Sequence, residues 1–146
     1  MPTAAKIAAA LLFAALAWIA SRLTFPLWPE GSSPGRFAEV NAALGLVLGW
    51  RMAGARAGQG AAAAIGTGLT TAVTVAVLAL FVHGFVLMMA DALRRRFDGP
   101  VEALVAVFGH LVEQARLLAS APVIATILGG GILAGLVTEW FGRNFR

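Results

Sequence analysis

The sequence predicts an all-α membrane protein of about four transmembrane helices plus one amphipathic interfacial helix. Composition is the first reason: of 146 residues 60% are hydrophobic and 12% charged, where soluble domains carry roughly 45–50% and 25%. A soluble domain this small needs polar groups over its exterior, whereas a bilayer accepts an exterior as apolar as the core. Placement of charge is the second reason. Lys6, Arg22, Arg36, Arg51, Arg56, Arg94 to Arg96, Arg143 and Arg146 stand at the edges of apolar runs, as flanking charges of membrane helices do. Trp18, Trp28, Trp50 and Trp140 also fall near run ends, where an amphipathic ring suits the interface.

The chain divides into one membrane domain with spans at about 7–23, 37–53, 61–90 and 122–141 and an interfacial helix at about 101–119. Ile7 to Leu23 is Ala- and Leu-rich, interrupted by Ser21 and Arg22. A cleaved signal peptide is the competing reading, since Lys6 precedes the run and Ala15-Leu16-Ala17 offers small residues. TFPLWPEGSSPGR, 24–36, reads as a loop from its prolines and glycines. Phe37 to Trp50 is short for a span unless it extends through Ala53 with Arg51 snorkelling.

Gly54 to Gly60, GARAGQG, reads as a tight turn, and Ala61 to Ala90 is the longest apolar run, broken by threonines and His83. Asp98-Gly99-Pro100 is a turn and a helix restart. From Val101 to Ala119, Val101, Leu104, Val105, Phe108, Leu111, Val112, Ala115 and Leu118 recur at helical spacing, opposite Glu102, Gly109, Glu113 and Arg116. Charges at mid-bilayer cost several kcal/mol each, which favours a helix lying along the interface over a fifth crossing. Pro122 opens the last run.

Charge counting leaves the orientation open. Four spans with the N-terminus inside put Lys6, Arg51, Arg56, Arg143 and Arg146 inside, against Arg22, Arg36, Arg94 to Arg96 and Arg116 outside. Five spans with the N-terminus outside give a clearer inner excess but bury the charges of the amphipathic segment.

The candidate polar residues are Glu39 and Asn41 at the mouth of the second run, Arg51 and Arg56 at its far end, His83 within the third and Glu139 near the end of the last. An ionisable group in a span must find water or a partner, so these are candidates for a transport path, with Arg51 and Arg56 as partners for the carboxylates. The competing reading of His83 is a neutral ring paired to a helix carbonyl or a threonine, and His110 reads as solvated. Thr67, Thr70, Thr71 and Thr74 read as hydroxyls bonded back to their own helix.

Gly45 with Gly49 and Gly131 with Gly135 are helix-packing candidates, since a missing side chain lets two backbones approach. Packing within one chain is the preferred reading, and a homodimer face the competing one. Gly54 with Gly58, within the turn, reads as loop.

Cysteine is absent, which excludes thiol redox chemistry and Cys-ligated metals. Two histidines with neither an HExxH motif nor a carboxylate cluster point to no metal, and no cofactor fingerprint, P-loop lysine or GxSxG elbow is present. The chain is therefore expected to be no enzyme, to need no cofactor and to bind no nucleic acid, its basic residues being flanking charges.

MPTAAK, FPLWPEG, VNAALGLVLGWRMAGARAGQG, RFDGPVEAL and LAGLVTEWFGRNFR together resemble the TrgA family, small bacterial integral membrane proteins associated with tellurite resistance. The resemblance implies a multi-pass inner-membrane protein and transfers no site residue. Without cysteine, protection would have to be indirect. The expected function is then a non-enzymatic membrane component of tellurite or envelope stress tolerance, acting in the lipid bilayer through assembly with itself or another membrane protein. The alternative is a small transporter or channel subunit for an oxyanion, a metal ion or protons.

Overall fold

A computed structural model describes residues 3–94 and 98–145. Arg95, Arg96 and Arg146, counted above among the flanking charges, lie outside the described residues. Five α-helices account for most of the chain: α1 Ala4–Thr24, α2 Phe37–Leu48, α3 Ala61–Leu93, α4 Pro100–Leu118 and α5 Ala121–Asn144, with no strand among the described residues.

Among the described residues three helical segments are long and apolar enough to cross a membrane: Ala4–Leu27, which adds a short 3₁₀ turn to α1, and α3 and α5. Their outer faces carry Leu11, Ile19, Val77, Phe81, Phe85, Leu128 and Leu133, all exposed. That exterior suits lipid and not water.

Small side chains build the interior. The core cluster is Ala9, Phe13, Ala53, Ala72 and Ala134, so close approach of helices supplies the packing contacts that large side chains give elsewhere. Gly45 of α2 and Gly49 just past its end press on the backbone of α1, where an added Cβ would strike the carbonyls of Phe13 and Ala9. Gly131 and Gly135 of α5 meet α3 at Gly68, Ala72 and Ala64, and Gly68 has no room for a Cβ beneath the Gly131 carbonyl. These four glycines are thus spent on contacts within the chain.

The helix begun by α2 does not stop at Leu48. It continues through a π-turn at Gly49–Ala53 and a 3₁₀ turn at Gly54–Arg56, so the expected turn at 54–60 shrinks to its last residues. Gly54 is buried, and a Cβ there would lie 2.7 Å from the Lys6 Cα; it belongs to helix packing, not to a loop.

Those contacts also set direction. The start of α1 lies at the end of the α2 extension through Lys6 and Gly54, and the end of α5 lies against Ala57 and Gly58 through Gly142. The first turns of α1 and the last turns of α5 therefore share one end of the bundle.

Outside the main packing, α4 rests on the far half of α3, with Leu111 beside Gly84 and His110 Nε2 3.0 Å from Asp91 Oδ2. His110 is therefore paired, not merely solvated. Glu102 reaches back to accept the Asp98 N–H at 2.8 Å, closing the first turn of α4. Seen along its axis, α4 has three faces. Ala103, Val107, Leu111, Gln114 and Leu118 turn toward the bundle, Val101, Leu104, Val105, Phe108 and Val112 form an exposed apolar strip, and Glu102, Glu113 and Arg116 an exposed polar one. Leu111 and Leu118 thus leave the stripe to which sequence spacing assigns them.

Candidate functional site

Two polar clusters form, one at each end of the bundle. At the end where α1 finishes, Ser21 and Thr24 meet Asn41 of α2 and His83 of α3. Helical spacing brings Ser21 and Thr24 onto one face of α1, and Asn41 sits one turn into α2 facing them.

The hydrogen bonds run in one direction. Ser21 Oγ lies 2.6 Å from the Ala17 carbonyl, which can only accept, so the hydroxyl donates there. Its oxygen then accepts from Asn41 Nδ2 at 2.8 Å. The Asn41 Oδ1 is left facing His83 Nε2 at 2.9 Å. An amide oxygen only accepts, so His83 is protonated at Nε2, and in the neutral ring Nδ1 carries a bare lone pair. Phe37 stacks on the imidazole with centroids 4.2 Å apart, fixing the ring plane. Thr24 donates to the Ser21 carbonyl at 2.7 Å and accepts from Trp28 Nε1 at 3.3 Å, which ties the following loop to the same cluster.

Beside this cluster lies a cavity of ≈ 50 Å³ to which all five helices contribute. Phe13, Leu16, Val75, Leu80, Leu117 and Ile127 give it apolar walls, and Ser21, Thr24, Asn41, His83 and Gln114 its polar positions.

At the other end, Glu139 is buried at 4% exposure. Its Oε2 accepts the Gly58 N–H at 2.6 Å and its Oε1 the Gly60 N–H at 2.7 Å. Gly58 and Gly60 hold φ of 96° and 103°, a left-handed backbone that glycine adopts without strain and that turns successive amides toward one anion. The carboxylate is thus held by backbone amides, not by Arg51 or Arg56, both of which are exposed. Arg143, one turn on from Glu139, lines the same groove.

Of the six candidate polar residues, the structure unites Asn41 with His83 and sets Glu139 apart at the opposite end. Glu39, Arg51 and Arg56 are exposed. His83 pairs with an amide side chain, a partner that spacing does not reveal. Thr70, Thr71 and Thr74 each bond back to the carbonyl four residues earlier at 2.7–2.8 Å. Ser21, Thr24, Gln114 and the Gly58–Gly60 amides are participants that sequence reasoning passed over. The visible signal was slight: Ser21 is a hydroxyl interrupting an apolar run, and Gln114 the lone amide of α4.

Among the described residues no group of three or more His, Asp and Glu gathers where it could hold a metal ion. No family model matches the chain. Neither a curated protein nor a solved structure matches it.

Proposed function

We propose that this chain is a non-enzymatic multi-pass protein of the bacterial inner membrane that contributes to tolerance of tellurite or envelope stress by assembling with itself or with another membrane protein. The stress association rests on the TrgA-like strings and the mode of action on the geometry. The single observation that carries the mode of action is the separation of the polar groups. Asn41 and His83 are bonded to each other and Glu139 to a loop, with the Ala- and Gly-lined core of Ala9, Ala72, Gly68 and Gly131 between them. A path for ions needs polar groups along its length, and here they act as staples at the two ends.

In this reading α2 with its extension is a fourth crossing, since 20 helical residues from Phe37 to Arg56 reach roughly 30 Å. The adjacent apolar and polar strips of α4 suit an interfacial position, one strip toward acyl chains and the other toward headgroups. Assembly uses two of the helical glycines left open: Gly66 of α3 and Gly129 of α5 have nothing within 4 Å of an added Cβ. They allow a neighbouring helix to approach closely.

Deletion of the gene in its host, with growth scored on graded tellurite, tests the association: lowered tolerance supports it and unchanged tolerance contradicts it. Gly66→Leu and Gly129→Leu test the mode. Loss of self-association or of a co-purifying partner with the fold retained supports assembly, and unaltered association contradicts it.

A further inference from the structure

We infer that the five-helix cavity takes the hydroxyl end of a membrane-dissolved aliphatic chain, the hydroxyl donating to His83 Nδ1 while the Gln114 amide completes its hydrogen bonding. The chemistry of the walls selects this class by elimination. Among the described residues no Lys or Arg lines the cavity, so a carboxylate or phosphate head would be desolvated without a counter-charge, at a cost of several kcal/mol. A plain hydrocarbon would leave two polar groups unpaired. Among the described residues neither His83 Nδ1 nor the Gln114 amide has a hydrogen-bond partner, yet neither is among the fully buried unpartnered atoms, Ser120 Oγ and Thr138 Oγ1. Both therefore lie where an incoming group can reach them.

Polarity narrows the head further. The one-way chain from His83 through Asn41 and Ser21 to the Ala17 carbonyl leaves Nδ1 as an acceptor, so the ligand must donate. Ethers, esters and ketones cannot. Size narrows the body: ≈ 50 Å³ is a third of the ~150 Å³ that admits benzene. An aromatic ring is too large for such a space, while a narrow chain end enters it. The site does not depend on what the bundle assembles with.

The test uses the full chain in mild detergent, labelled with ¹⁵N-histidine and titrated separately with 1-hexanol and its isomer 1-methoxypentane, which has the same atoms but no donor. His110 is the only other histidine and serves as the internal reference. Hexanol is expected to shift the His83 Nδ1 resonance saturably while His110 stays in place, and the ether to bind about threefold to tenfold more weakly, the worth of one hydrogen bond. Ala76→Leu, which fills the cavity wall, is expected to abolish the hexanol shift with His83 Nε2 still protonated. A His83 signal that hexanol leaves unmoved, an equal response to the ether, or a shift that persists in a folded Ala76→Leu protein overturns the assignment. Should that variant fail to fold, the comparison of the two isomers on the unaltered chain decides alone.

Discussion

His83 donates its Nε2 proton to Asn41 Oδ1 across 2.9 Å, and that one contact joins the last third of the sequence's longest apolar run to the first turns of α2. It also orders the bonds on either side of it. Asn41 can hold His83 in this tautomer because its own amide is already committed to Ser21. An ionisable residue inside an apolar run is thus part of a three-helix polar staple.

Breaking the staple from the middle costs most. Asn41→Ala removes the acceptor of His83 and the donor to Ser21 together, and an unsatisfied buried polar group costs about 1–3 kcal/mol. The expected result is a loss of that order in unfolding free energy in mild detergent. His83→Phe removes one end of the network and keeps the ring against Phe37, so it should cost less. A double-mutant cycle should give a His83–Asn41 coupling of about 1 kcal/mol, within the range for membrane hydrogen bonds; additive losses would show that the pair does not interact.

Glu139 offers a second staple with a different chemistry. Glu139→Gln retains one acceptor oxygen for the two amides of Gly58 and Gly60, and Glu139→Ala retains none. Stability should therefore fall in the order Glu, Gln, Ala, the last by about 2 kcal/mol or more. Amide exchange at Gly58 and Gly60 should accelerate in the same order. Equal stability of all three proteins would mean that the loop does not need the carboxylate.

Two glycines separated by one residue on α3 should respond in opposite ways to the same change. Gly68→Ala places a methyl group against the Gly131 carbonyl, and the α3–α5 contact must open to admit it. Gly66→Ala meets nothing within 4 Å and replaces glycine by the better helix former, a gain of up to about 1 kcal/mol. Melting of the two variants in one detergent should show Gly68→Ala clearly destabilised and Gly66→Ala neutral or stabilised. Similar behaviour of the two would contradict the packing described.

Helices were the most legible part of the chain because the pattern that marks them is local. The run read at 7–23 is α1 at Ala4–Thr24, and Pro100 and Pro122 mark the first turns of α4 and α5. What was not legible depends on where helices meet. Gly54 reads as a turn residue until Lys6 is placed against it, and Gly68 is indistinguishable from Gly66 until α5 covers one and not the other. The staples were half legible. His83 and Glu139 stand out as polar residues in apolar surroundings, but their partners are a short amide side chain and two backbone N–H groups, which no residue spacing marks. The second run, read as a span at 37–53, goes on as helix to Arg56, because the chain continues through Gly54, a residue type that ordinarily ends a helix.

The most direct measurement is labelling of single cysteines introduced into the naturally cysteine-free chain. Leu11, Val77 and Leu128 lie on the exposed faces of α1, α3 and α5, and Gln59 lies in the loop before α3. In native membranes a water-soluble maleimide should leave cysteines at 11, 77 and 128 unlabelled until the membrane is dissolved, while a cysteine at 59 reacts once reagent reaches its side. Rapid labelling at 11, 77 and 128 in intact membranes would place those faces in water and contradict the account.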